Sequence, residues 1–122
     1  MLLSIACLSL WACGQESVLP ATDVDVEQRA RELEPADPHL AELYRQSCRA
    51  CHTVAGSGAP LTGHRAAWDE RWRKGLDALR SNTIRGLNGM PAGGQCFACS
   101  AQDYDGLIEF MAGRTRSNTA GS

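Results

Sequence analysis

Cys48-Arg49-Ala50-Cys51-His52 limits this chain more than any other stretch in it. Two cysteines with two residues between them can present both thiols to the two vinyl groups of a haem. The histidine that follows at once is then placed to bind the iron from one face. That is the c-type haem attachment pattern, and it is demanding because spacing, order and the adjacent His are all required. Zinc ligation and a dithiol redox site use the same cysteine spacing. The rest of the chain has to separate the three.

A chain of 122 residues holds one domain plus a leader or tail. With 12 basic and 14 acidic residues, nothing in its overall charge points to nucleic acid. The charge is unevenly spread: residues 14–37 hold seven acids and two arginines, while ten basic and seven acidic residues follow from Pro38 onward. Six cysteines fall into three pairs by position, Cys7 with Cys13, Cys48 with Cys51, and Cys96 with Cys99. An exported location would permit a disulfide in the last pair.

Residues 1–12 are almost wholly apolar and too short to span a bilayer, which fits the apolar region of a signal peptide. Leu10-Trp11-Ala12-Cys13 resembles a bacterial lipoprotein cleavage box, although Trp11 is bulky for it and no Lys or Arg precedes the run. The reading predicts export to the bacterial periplasm, cleavage before Cys13 and a lipid anchor on that cysteine. Ordinary cleavage to a soluble periplasmic protein is the alternative. Residues 13–37, acidic and poor in large apolar side chains, read as a flexible linker. Fully extended, it would reach on the order of 80 Å.

Residues 38–116 form the expected domain, with 117–122 a disordered tail. Asp37 and Pro38 suit an N-cap and first helical position. Leu40, Leu43, Tyr44, Ser47 and Cys51 then share one helical face running into the pentapeptide. Glycines and Pro60 mark 53–63 as a loop. A short helix around Ala67–Trp72 ending near Gly75, a second carried by Leu76, Leu79, Thr83 and Leu87 and ending in Gly86 to Gly89, and a last one with Ser100 and Asp103 as a capping box complete the pattern. No alternation of period two persists, so the fold class is all-α. About 75 residues make a small core, and a buried haem would supply the apolar surface that short helices need to pack around.

If His52 binds one face of the iron, a second ligand has to come from elsewhere or the position stays open. Met111 lies on an apolar helical stripe, His39 begins the first helix, and His64 shares the loop after His52. Met90 stands in Gly86-Leu87-Asn88-Gly89-Met90-Pro91, where a methionine has little to pack against. Met90 is therefore the expected ligand, with His64 the runner-up. A thioether on the iron favours the ferrous state.

From about Leu40 to Met111 the chain resembles a class I cytochrome c of the cytochrome c5 group. The matching elements are Ser47-Cys48-x-x-Cys51-His52, Gly58-Ala59-Pro60, Ala67-Trp68, Lys74-Gly75-Leu76-Asp77-Ala78-Leu79, Gly86-Leu87-Asn88-Gly89-Met90-Pro91, and Cys96-x-x-Cys99 before Ser100. The resemblance implies four to five short helices around one covalently bound haem c. It implies thioether links at Cys48 and Cys51, axial ligation by His52 and Met90, and a Pro60 carbonyl accepting a hydrogen bond from the His52 ring. It also implies a disulfide between Cys96 and Cys99. A redox-active dithiol there is the alternative, but no βαβ pattern surrounds it.

The function expected is electron transfer without enzymatic chemistry, in a bacterial respiratory or related redox chain. The resemblance implies redox proteins as partners, such as a terminal oxidase or another cytochrome. Arg65, Arg71, Arg73, Lys74, Arg80 and Arg85 form a mildly basic face suited to steering, or simply the solvated sides of two helices. Two alternatives belong to other classes. A haem domain with open iron would act as a ligand sensor or peroxidase-like enzyme. A structural zinc module would use Cys48, Cys51, Cys96 and Cys99, at a spacing far wider than a zinc ribbon's.

Overall fold

The computed structural model describes residues 22–115. Helix α1 (Asp23–Glu32) comes first, then α2 (Pro38–Leu43), a π-turn (Tyr44–Cys48), α3 (Arg49–His52), a 3₁₀ turn (Ala55–Ser57), α4 (Arg65–Trp72), α5 (Leu76–Arg85), a second 3₁₀ turn (Ala92–Gln95) and α6 (Ala101–Ala112). No strand occurs among the described residues, apart from an isolated bridge between Leu87 and Met90. The fold is all-α, as expected. The signal segment, Cys13 and the tail at 117–122 lie outside the described residues, as do positions 13–21 of the expected linker.

Helix α2 starts where Asp37 and Pro38 dictate: the Asp37 carboxylate accepts the Leu40 N–H at 2.9 Å, and Pro38 needs no donor in the first turn. The π-turn then joins α2 to α3 in one rod, with the Arg49 N–H bonded to the Tyr44 carbonyl five residues back. That wider turn inserts one residue into the helical register. It corrects the expected apolar face. Leu43 and Tyr44 are buried, but the inward positions beyond them are Cys48 and His52, one residue later than Ser47 and Cys51. Cys51 is left exposed.

The linker expectation is corrected for residues 22–37. Helix α1 opens with a capping box in which Thr22 accepts the Asp25 N–H and Asp25 accepts the Thr22 N–H. Val26 and Ala30, one turn apart, are buried in a small cluster with Leu61. Polar bonds complete the seat. Glu27 accepts the Ala55 N–H at 2.8 Å, Arg49 donates to the Arg31 carbonyl at 2.7 Å, and Arg45 pairs with Glu34 at 2.5 Å. Few apolar residues are enough because the segment's charges bind specific groups of the domain.

The main core gathers Leu43, Tyr44, Trp68, Trp72, Leu76, Leu79, Tyr104, Leu107, Ile108 and Met111, drawn from α2, the π-turn, α4, α5 and α6. Helix α6 begins with the second capping box, Ser100 and Asp103. Its Gly106 lets it approach α2, since a Cβ there would stand 2.8 Å from Leu40 Cδ1. Tyr44 meets Phe110 edge-on at 5.1 Å. Cys48 and Cys99 pack against this core from its edge, which places the pentapeptide beside it.

Candidate haem site

The π-turn carries Cys48, and α3 carries Cys51 and His52 about one turn further along the same rod. Both thiols are free. Burial pushes the Cys48 thiol up to about 11, with Cys51 beside it adding to the shift.

His52 is buried, and its ring has one fixed partner: Nδ1 lies 2.8 Å from the Pro60 carbonyl. A carbonyl oxygen only accepts, so Nδ1 carries the proton and Nε2 keeps its lone pair for a metal. Burial holds the imidazole below its ordinary pKa, opposed by the Pro60 bond and reinforced by the Arg71 charge. The ring is thus a neutral imidazole of defined tautomer. Successive residues of the loop that presents Pro60 are tied down. The Leu61 carbonyl accepts the Trp68 indole N–H at 2.8 Å, and the Thr62 N–H reaches the His52 carbonyl at 2.8 Å. The Thr62 hydroxyl meets the Tyr44 hydroxyl at 2.9 Å, and the Gly63 N–H reaches the Met111 carbonyl at 2.8 Å.

Met90 is placed by a different segment. A two-residue turn pairs Leu87 with Met90 through N–H to carbonyl bonds of 3.1 and 2.9 Å, with Asn88 in the left-handed region at φ 54°. Gly94 leaves room for the thioether, because a Cβ at that position would come within 3.0 Å of Met90 Cε. The 3₁₀ turn Ala92–Gln95 in turn touches the π-turn that carries Cys48. Tyr104 fastens this side, its hydroxyl lying 3.0 Å from the Gly93 carbonyl and 3.1 Å from that of Cys96. Cys96 and Cys99 are joined in a disulfide with Cα atoms 5.4 Å apart. That bond removes two of the four thiols the zinc module would need. Among the described residues no group of three or more His, Cys, Asp and Glu side chains is gathered for a metal ion.

These residues fit a haem attached through two thioethers: two free thiols at the required spacing, a neutral imidazole with Nε2 available, and a methionine in a glycine-lined loop. Apolar periodicity accounts for Tyr44 and Tyr104 as stripe residues only. Their hydroxyls hold the two loops, a role legible in the rule that a buried Tyr oxygen finds a partner. Thr62 had no such signal.

Comparison with known proteins agrees with the geometry. Residues 35–111 match the family described as cytochrome c oxidase, cbb3-type, subunit III. The chain is 38% identical over 74 residues to cytochrome c5 of Ectopseudomonas mendocina, which covers 59% of this chain and 85% of that protein. It is 40% identical over 74 residues to cytochrome c5 of Azotobacter vinelandii, covering 59% and 89%. Among solved structures, a chain from an electron transfer complex of nitrite reductase with cytochrome c superposes with a TM-score of 0.57 at 29% identity, covering 65% of this chain and 96% of that one. The chain therefore belongs to the c-type cytochromes, electron carriers rather than enzymes, and its prosthetic group is a covalently bound haem c.

Proposed function

We propose that this cytochrome carries single electrons with its haem iron held between His52 and Met90 and its porphyrin bonded to Cys48 and Cys51. The observation that carries the reading is the Pro60–His52 hydrogen bond, which fixes a neutral imidazole with Nε2 as the one nitrogen left to bind iron. A haem bound here supplies a one-electron ferric/ferrous couple. His52 and Met90 would fill both axial positions and so keep water and small ligands off the metal. The bonds along 60–63 hold the His52 ring in place, and the Tyr104 bonds with the Cys96–Cys99 disulfide hold the segment after Met90. A rigid ligand pair suits electron transfer, because little has to move when the charge changes.

Redox proteins are the proposed partners, with a terminal oxidase or another cytochrome as the respiratory candidates; the complex of a similar chain with nitrite reductase supports the class. One charge of the basic face is paired: Arg80 is tied to Asp77 and Asp105 at 2.7 Å, while Arg65, Arg73, Lys74 and Arg85 are exposed. A periplasmic setting, with residues 1–12 as the signal peptide and a lipid on Cys13, rests on the sequence of the leader. Among the described residues no helix is long and apolar enough to cross a membrane. Cys13→Ser is expected to release the protein from the membrane fraction, and unaltered association would remove the anchor.

Met90→Ala tests the ligand set. The variant should show a lowered reduction potential and bind carbon monoxide rapidly when reduced. A variant with the parent's spectrum and potential would take Met90 off the iron and favour the open-iron reading.

A further inference from the structure

Behind the His52 ring lies a second side chain whose geometry is hard to explain by packing alone. The indole of Trp68 lies nearly parallel to the imidazole, with ring centroids 6.0 Å apart and planes 25° from coplanar. The same indole donates its Nε1–H to the Leu61 carbonyl at 2.8 Å, and Leu61 directly follows the residue whose carbonyl holds His52 Nδ1. Trp68 is buried on α4, so the ring has little freedom to leave either contact.

We propose that Trp68 is a positioning residue for the axial imidazole, setting the plane of the His52 ring by stacking on it and fixing the Pro60 acceptor through its bond to Leu61. The inference rests on the reading of His52 as iron ligand and adds a determinant of its orientation. Two constraints are needed to fix a ring that turns about its own Nε2 axis. The Pro60 bond restrains one edge, and a parallel face behind the ring restrains the rotation that this bond alone permits. Both constraints converge on one side chain, since losing the indole frees the face and loosens the Leu61 carbonyl together. Trp72, one turn further along α4 and also buried in the core, makes no ring stacking or side-chain hydrogen bond with the loop among the described residues and serves as the matched control.

The test is proton NMR of the full-length holoprotein. In the ferrous form of the parent, indole protons of Trp68 should show Overhauser contacts to the His52 ring protons. In the ferric form, the order and spread of the four haem methyl resonances report the orientation of the axial ring. Trp68→Leu should reorder those resonances, Trp68→Phe should keep their order because an aromatic face remains, and Trp72→Leu should leave the pattern unchanged while lowering the thermal midpoint. Absent Overhauser contacts in the parent, or Trp68→Leu and Trp72→Leu giving the same pattern, would overturn the proposal; the first of these needs no variant to fold. His52 ring protons lacking the strong upfield shift of a haem-bound imidazole would instead overturn the ligand reading, and so distinguish the two failures.

Discussion

The Asp103 carboxylate shows how much one side chain holds at the start of α6. It accepts the Ser100 hydroxyl at 2.7 Å and the Ser100 N–H at 2.8 Å, and it pairs with His39 Nε2 at 3.0 Å across to α2. Those bonds, the Ser100 hydroxyl first, hold its pKa below the ordinary carboxylate value. The sign of the pH dependence follows. A depressed folded pKa contributes stability that is present above the unfolded carboxylate value and is lost as pH falls through the folded one. Asp103→Asn should therefore lose less stability on acidification than the parent, measured by thermal unfolding as a function of pH; parallel acid limbs would count against the assignment. Ser100→Ala should cost about 1 kcal/mol, or roughly 4–8 °C in Tm for a domain of this size. Both capping residues of α6 were legible in sequence because a box with Asp at the third helical position is a local signal. His39 as their partner was not, since the pair joins residues 64 positions apart.

At the scale of elements, α2, α4, α5 and α6 follow from apolar periodicity, and α2 and α6 also from their N-caps, Asp37 and Ser100. Two features did not. The π-turn has no sequence signature in an ordinary 3.6-residue pattern, so the register beyond Tyr44 was off by one and Cys51 was expected on the apolar face. Helix α1 was hidden by composition: its buried residues are only Val26 and Ala30, and its acidity reads as solvated. The signals that would have found it are the Thr22/Asp25 capping box and the Glu27–Arg31 pair one turn apart. Its seat is small enough to be undone locally. Val26→Asp would bury a carboxylate at a cost of several kcal/mol, more than the docking of one short helix can repay. The helix should detach while the domain stays folded, and the Ala55 amide, bonded to Glu27, should lose its hydrogen-exchange protection. Retained protection at Ala55 would contradict the docking described for α1.

Across the described residues, the proposed site divides in two: one rod would supply the thioethers and the His52 ligand, and the segment from Gly86 to Cys99 would supply Met90. A small helical domain gains from this division. A haem bound here would fill space that short helices cannot fill alone, and the two loops that would hold it are fastened to core residues at Thr62, Trp68 and Tyr104. The attachment residues and the methionine loop were readable because covalent chemistry demands a fixed spacing and because glycine and proline mark a segment shaped for something other than packing. The fastening of those loops was not readable, since it depends on which side chains the fold brings together. The proposed function stands on an iron with both axial positions filled. The most direct test is a spectroelectrochemical titration of the full-length holoprotein, repeated under carbon monoxide at neutral pH. A single one-electron transition, with a reduced spectrum that carbon monoxide leaves unchanged, is the predicted result. Rapid carbon monoxide binding to the reduced protein would contradict it.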